Sequence, residues 1–412
     1  MSEAVDKNDS TSSQSPTKEI TFVNTMLSIV TITSLSLTNP LHAQPLPTLP
    51  LDLIAEILCR LPVKVLLQLR CVCKSWNSLI SDTNFAKKHL SLSTVHQLHF
   101  LSYSYHLHKY ILTSYPFHSI FTNITTDFTQ LELPPNNYDG DFHLVGSCNG
   151  ILCLADCNEG FVILWNPSIR KSKELPHFQK PKTLHHDSMT YGFGYDHVTD
   201  NYKVVVVLHY YIHDIDDNYV NKIEVKIHTL GTSFWKNIQE FPFVGHTIEG
   251  PGHFVGGAIN WLTLKDLGKE NSCFIISFNL KNESFQEILL PDYEEIDASD
   301  LNLGMLRDCL CMISGDDVWV MKEYGNKESW TKLFTVCHMQ YPRNTYSFTK
   351  VINIFKDDQV LLEFIDDSTD DSIEGTWIWK SVVYNSKNDT FNFTKFESTP
   401  EICIESLILP CS

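Results

Sequence analysis

A unit of short β-strands recurs along most of the chain, and this repetition constrains the fold more than any other feature. From about residue 95 onward, apolar runs rich in β-branched and aromatic residues alternate with Gly, Asn, Asp and Pro, which is typical of strands joined by turns. The units cover residues 146–176, 191–238, 252–291, 303–336 and 359–396. A single unit cannot bury both faces of its strands, so the units have to stack against one another.

The spacing of these units indicates a propeller. Five residues occupy equivalent positions: Asn166, Thr229, Asn279, Met321 and Asn385. They are 63, 50, 42 and 64 residues apart, which is close to the period of kelch-type blades. We therefore expect residues 95–412 to form an all-β, propeller-like domain of six blades, give or take one. In this interpretation residues 95–140 supply an irregular blade, and residues 405–410 form a late strand that closes the ring.

The segment before the β-units has a helical pattern. Its apolar residues recur at steps of one, three and four, as helix faces require. They are Leu53, Ile54, Ile57, Leu58 and Leu61, followed by Val65, Leu66, Leu69 and Val72. Pro62 separates the two groups, because the residue before a proline is pushed out of the helical region. With a third, turn-rich piece near Trp76, residues 46–92 are expected to form an all-α domain of about three helices, so the chain is an α+β multidomain protein.

Charge sets the helical segment apart from the rest of the chain. The 412 residues carry a net charge of −18, which argues against non-specific nucleic-acid binding. Residues 46–92 contain six basic and three acidic side chains, a local excess of +3. Three short amphipathic helices also expose more apolar surface than they can cover among themselves. The segment therefore packs either against the β-domain or against a separate, acidic partner.

The remaining features exclude several classes of protein. Residues 1–45 are expected to form a disordered or weakly ordered arm, and the uncharged stretch over residues 20–51 lacks the early basic region of a secretory signal. We expect no membrane insertion, and a cytoplasmic or nuclear location or both. The 12 cysteines have neither disulfide-scaffold nor zinc-site spacing, so no metal and no cofactor is expected.

The helical segment contains a long series of residues in the order of a known sequence pattern. It consists of Leu49-Pro50, Asp52-Leu53, Glu56-Ile57-Leu58, Arg60-Leu61-Pro62-Val63-Lys64, Leu69-Arg70, Val72-Cys73-Lys74, Trp76 and Leu79-Ile80, and it closes at Phe85. This run resembles the F-box of plant proteins, a helical hook that docks onto the Skp adaptor of a cullin-based ubiquitin ligase. The resemblance implies adaptor contacts from Leu49, Pro50, Ile57, Leu58, Leu61 and Pro62. It also implies that Leu69, Val72 and Trp76 are shared between the core of the hook and the interface.

The β-units carry a second resemblance. "NGILCL", "LWNPSIRK", "GFGYD", "DNYKVV" and "GAINWL" are similar to the F-box-associated, kelch-like region of plant F-box proteins, and they cover most of residues 145–290. Only Gly256-Gly257 matches the double-glycine signature of a kelch repeat. The two resemblances together imply the substrate-recognition subunit of a Skp–cullin–F-box ubiquitin ligase. Its partners would be the Skp adaptor, through it the cullin and RING subunits, and a target protein that the sequence does not reveal.

The sequence contains no convincing set of catalytic residues, so we expect a non-catalytic receptor. His209, His213, Asp214, Asp216 and Asp217 are better explained by a solvated acidic loop than by a metal site, as are the acidic clusters at 294–300 and 366–374. The tryptophans are expected to pack in the core. Two alternatives stay open: a propeller enzyme or sugar-binding protein with a helical cap, and an F-box scaffold that acts without the ligase.

Overall fold

The structure is a computed structural model. It describes residues 50–104, 106–121, 128–133, 142–156, 159–178, 188–213, 219–238, 241, 246–265, 272–291, 301–336, 346–355, 359–366, 378–396 and 400–411. The predicted arm over residues 1–45 and Leu49 therefore lie outside the described residues. The chain divides into two compact units, Met1–Phe85 and Ala86–Ser412.

Four helices open the described chain, one more than the three that the sequence predicts. They are α1 (Leu51–Leu58), α2 (Val63–Leu69), α3 (Lys74–Ile80) and α4 (Thr83–Leu92). Pro50 and Pro62 precede α1 and α2 with φ values of −54° and −56°, a conformation that leads directly into a helix. The fourth helix begins after Asp82, whose Oδ1 accepts the backbone N–H groups of Asn84 and Phe85 at 2.9 and 3.0 Å. This cap was the signal that sequence reasoning missed.

Twenty-four strands follow in the described residues, and they form five sheets. The first sheet has the order β24-β1-β2-β3, from Glu401–Ile404, His96–Ser104, Lys109–Pro116 and Thr129–Glu132. The second comprises β4 (Phe142–Cys148), β5 (Ile151–Asp156), β6 (Phe161–Asn166) and β7 (Lys171–Glu174). The third has eight strands: β8 (Ser188–Asp196), β9 (Asn201–His213), β10 (Tyr219–Thr229), β11 (Lys236–Ile238), β12 (His246–Val255), β13 (Ala258–Lys265), β14 (Ser272–Asn279) and β15 (Ser284–Ile288). The fourth comprises β16 (Leu301–Leu306), β17 (Cys309–Ser314), β18 (Asp317–Met321) and β19 (Trp330–Thr335). The fifth comprises β20 (Tyr346–Ile354), β21 (Gln359–Asp366), β22 (Ile378–Asn385) and β23 (Thr390–Phe393).

Each repeated unit of the sequence is a run of four antiparallel strands. The five residues taken as equivalent all lie at the last position of the third strand of their unit. Asn166, Asn279 and Asn385 owe this position to turn chemistry, because the side-chain oxygen of each accepts the backbone N–H two residues further on at 2.9–3.0 Å. Such a bond bends the backbone out of the strand and so ends it. The repeat read from the sequence is therefore a repeat of turns.

The number of blades differs from the prediction. Four separate four-stranded sheets are present rather than six, since the units β8–β11 and β12–β15 join into one sheet of eight strands. The two halves meet where β12 pairs with β8 in parallel, at Gly252 and Gly192. A Cβ at Gly252 would lie 2.7 Å from Nε1 of Trp261 and against Ile259. A Cβ at Gly192 would meet the same two side chains of β13, so glycine at both positions lets Ile259 and Trp261 pack over the point where β8 and β12 pair.

The strand that closes the ring lies at residues 401–404, just before the residues 405–410 that the sequence predicts. Residues 96–132 supply three strands of the first sheet, and the fourth is β24, which pairs with β1 from His96↔Ile404 to His99↔Glu401. Residues 405–410, predicted to be the closing strand, contain none. The backbone leaves the ladder there because Asn166 and Ser406 hold it by side-chain hydrogen bonds.

Apolar clusters join neighbouring sheets and also the last sheet to the first. Leu112 of the first sheet packs with Leu154 and Trp165 of the second. On the opposite face of the first sheet, Leu98 packs with Leu361 of the fifth. Every one of these side chains is at most 3% exposed. The β-domain is thus arranged as a propeller, with its core divided among the spaces between sheets.

We expect Gly252→Ala to reduce the free energy of unfolding by about 2 kcal/mol or more, because the new methyl group meets the Trp261 ring and has nowhere to move. Gly304→Ala is the matched control, since the atom nearest to the added Cβ would be the Cys311 carbonyl oxygen at 4.0 Å. Chemical denaturation of both variants measures the difference. Equal stability of the two would show that Trp261 does not pack against Gly252 as described.

A buried histidine should make folding sensitive to mild acid. His99 is 4% exposed, its Nδ1 lies 2.8 Å from Ser114 Oγ, and burial lowers its pKa to about 4. The unfolded chain therefore takes up a proton at this residue as the pH falls below about 6.5, whereas the folded chain resists it. Between pH 7 and pH 5, the wild type should lose about 2 kcal/mol more stability than His99→Gln. Denaturant titrations at the two pH values test this, with the exposed His197→Gln as the control that should follow the wild type.

Candidate protein-docking surface

Helix α1 presents apolar side chains to solvent. Leu51, Leu53 and Ile57 are 61%, 50% and 37% exposed, and we call these three residues the α1 patch. Leu53 and Ile57 are four positions apart, so they lie side by side on the helix surface. Large aliphatic side chains held in water gain about 1–2 kcal/mol each when a partner covers them. The patch is therefore suited to binding another apolar surface.

The next two helices bury several of their apolar residues. Val63, Leu66 and Leu69 of α2 are 1%, 0% and 5% exposed. Ile80 at the end of α3 is 2% exposed. The helical segment thus has both a buried core and an uncovered apolar patch, and these involve different residues.

The contact residues predicted from the sequence fall into three groups. Pro50 and Ile57 are exposed. Leu61, Pro62, Val72 and Trp76 are half-buried. Leu58 and Leu69 are 2% and 5% exposed, so the structure places both in the core of the folded chain. Leu49 precedes the described residues.

Two members of the α1 patch were missing from the predicted contact set. Leu51 and Leu53, at 61% and 50%, are more exposed than Ile57, the predicted contact residue of the same patch, which is 37% exposed. The helical spacing of Leu53 and Ile57 was a usable signal, since it puts both residues on one face. Periodicity alone does not show which residues of an apolar stripe face solvent. The packing of α1 in the folded chain decides this.

Basic side chains surround the apolar ones on this segment. Arg60, Lys64, Arg70 and Lys74 are all exposed. Arg70 also donates from Nε to Asn77 Oδ1 at 3.2 Å, which orients its guanidinium along the surface. Exposed cations of this kind favour an acidic partner and speed its approach.

Other residues singled out in the sequence are structural where the structure describes them. Burial raises the pKa of the Cys148 thiol to about 12 and also raises that of Cys153, so neither is poised to react. Trp165, Trp261 and Trp330 are at most 8% exposed, as expected of core residues, whereas Trp235 and Trp319 are half-buried. His209 is buried, and Asp214, Asp216 and Asp217 lie outside the described residues. Within the described residues, no three His, Cys, Asp or Glu side chains converge as metal ligands would.

In the described part of the chain, no helix is both long enough and apolar enough to cross a membrane.

Comparison with known proteins adds to this geometry. The family model of the F-box domain matches residues 46–88, and that of the F-box associated beta propeller domain matches residues 95–411. An F-box/kelch-repeat protein of Arabidopsis thaliana is 34% identical over 301 residues, which cover 70% of this chain and 79% of the relative. The F-box protein CPR1 of Arabidopsis thaliana is 30% identical over 325 residues, covering 73% of this chain and 75% of its own. Among solved structures, that of YjhT has a TM-score of 0.34 and 11% identity over 53% of this chain and 70% of YjhT.

Proposed function

Because the chain belongs to the F-box proteins with an F-box associated β-propeller domain, we propose that it is the substrate-recognition subunit of a Skp–cullin–F-box ubiquitin ligase. An F-box domain implies binding to a Skp1-type adaptor. The observation that supports this role best is the α1 patch, an exposed apolar surface on a helical segment that buries other apolar residues such as Leu58 and Leu66. The exposed Arg60 and Lys64 add the charge that an acidic adaptor would recognise.

Such a receptor needs no catalytic group of its own. It binds the adaptor with one domain and the target with the other, and so keeps target lysines close to the ubiquitin carrier. Tethering of this kind raises effective concentration, which accelerates transfer without new chemistry in the receptor. The relatives in the comparison are F-box proteins too.

Strand topology suggests where the target binds. Neighbouring strands of each unit are antiparallel, so the turns between strands one and two and between three and four lie at one end of the sheet. The turn between strands two and three and the connection to the next unit leave from the opposite end. Three connections at that opposite end span residues 214–218, 289–300 and 367–377, and they contain twelve carboxylates with no lysine or arginine. We infer that this end of the propeller receives a basic target protein.

The adaptor half of the proposal is tested by capture of a purified plant Skp adaptor on the full chain. We expect the double substitution Leu53→Glu and Ile57→Glu to weaken capture at least about 30-fold, because it puts charge into the apolar contact. The stability of the chain should stay within about 0.5 kcal/mol of the wild type, since both residues are exposed.

The matched control carries Val198→Glu and Leu333→Glu, two exposed apolar positions of the propeller at 62% and 43% exposure. This control should bind the adaptor like the wild type. If the α1 variant captures the adaptor normally, the adaptor does not use this patch. Capture of the adaptor without cullin would favour the scaffold alternative.

The target half is tested by comparing proteins captured from a plant extract by two triple variants. Glu294→Gln, Glu295→Gln and Asp297→Asn neutralise the end of the propeller that we assign to the target. Asp308→Asn, Asp357→Asn and Asp358→Asn make the same charge change in turns at the other end. We expect the first variant to lose basic proteins several-fold and the second to retain them, with high salt imitating the first variant. Equal capture by both variants would show that the acidic connections do not bind the target.

A further inference from the structure

The outermost strand of the fifth sheet, β23, differs in composition from the last strands of the other units. It pairs with β22 on one side and with no other strand of the described chain. The last strands β3, β7, β11, β15 and β19 each contain at least one lysine or glutamate, whereas β23 contains no charged residue. Charged side chains on an edge strand discourage its pairing with a second chain. Among these six edges, β23 is therefore the one that lacks this protection.

The sequence around β23 is also symmetric. Residues 390–394 read Thr-Phe-Asn-Phe-Thr in both directions, and Asp389 and Lys395 place opposite charges on either side. Two such strands in an antiparallel pair centred on Asn392 bring phenylalanine against phenylalanine and threonine against threonine. Asp389 of each copy then lies beside Lys395 of the other, so charge is complementary at both ends. A two-fold dimer requires this kind of self-complementary surface, because the same residues serve on both copies.

The backbone of β23 is in the correct phase for that pairing. The N–H of Thr394 donates to the carbonyl oxygen of Ser381 at 3.0 Å, which makes these two a hydrogen-bonded pair of the β22–β23 ladder. Such pairs alternate along an antiparallel ladder, so the backbone groups of Asn392 point to β22 and those of Phe391 and Phe393 point away from it. In the symmetric pairing, Phe391 of one copy lies opposite Phe393 of the other. The side chains and the backbone therefore select the same register.

The side chains of β23 fit the pairing on both faces of the strand. The ring centroid of Phe391 lies 4.8 Å from that of Tyr384 and 6.2 Å from that of Phe364, so this ring is held in place. Phe393 lies on the same face and is 37% exposed. A second copy would set Phe393 against the fixed ring of Phe391 twice, and aromatic cross-strand pairs stabilise a ladder. Asn392 is exposed on the other face, where its amide would meet the amide of the second copy.

We propose that β23 is a self-association edge, which pairs antiparallel with β23 of a second copy about a two-fold axis at Asn392. The paired strands alone bury less than the roughly 1,200 Å² of a standard interface, so the dimer is weak and reversible, with a dissociation constant of roughly 10–100 µM. This inference does not depend on the ligase role. Within that role, two joined receptors would bind a target that has several recognition sites with added avidity.

The test uses charge at the axis, where residue 392 meets itself. Asn392→Lys and Asn392→Asp each place like charges directly opposite one another, so each variant should associate at least about fivefold more weakly than the wild type. An equimolar mixture of the two variants sets Lys against Asp and should regain association. Sedimentation velocity of the full chain, from about 1 to about 200 µM, measures each case.

The matched controls are Gln130→Lys and Gln130→Asp, which make the same changes at an exposed amide side chain of the edge strand β3. Both controls should associate like the wild type. A wild type that stays monomeric over the whole range would overturn the proposal, and so would Asn392 variants that associate normally. A mixture that remains monomeric, although circular dichroism shows both Asn392 variants to be folded, would overturn the symmetric register. No adaptor is present in these measurements, so their failure is distinguishable from failure of the ligase role.

Discussion

Closure of the ring by the pairing of β24 with β1 is the interaction on which the β-domain depends. A row of stacked sheets always leaves one apolar face uncovered at each end. Here residues 401–404 supply the fourth strand of the first sheet. One face of that sheet packs on the last sheet through Leu98 and Leu361. Both end faces are thereby covered. Asn166 then ties the following residues to the second sheet, at 0% exposure and with every polar atom of its amide bonded.

A second polar site secures the sheet of eight strands. Lys203 of β9 is 4% exposed, and its ammonium lies 3.1 Å from Asp196 Oδ2 and 3.1 Å from Glu283 Oε1. It also donates to the carbonyl oxygen of Leu280 at 2.6 Å, so it joins the turns of the two halves. Burial opposes the charge on Asp196, yet hydrogen bonds from Thr199 and Val198 together with Lys203 keep the pKa of this carboxyl below its usual range. Removing one of these partners would leave the buried ammonium partly uncompensated, so this part of the sheet is sensitive to substitution.

The two domains differ in how they bury apolar surface. The propeller covers its strands internally, and its core residues lie between sheets. The helical segment is too small to do so and keeps the α1 patch in solvent. In the proposed role, an adaptor surface would cover that patch. The acidic connections of the propeller would then attract a target through charge.

Much of this organisation is present in the sequence alone. The helical spacing around Leu53 and Ile57, the prolines that precede α1 and α2, and the asparagines that end the third strands act over a few residues, so local physics determines them. The family resemblance rests on the same local patterns. Other features arise only in three dimensions: Leu58 faces the core while Leu53 faces solvent, Gly192 meets Gly252, and β24 pairs with β1. These depend on which distant surfaces come together, and the free energy that selects them comes from burial and backbone pairing between residues far apart in the chain, which no local pattern encodes.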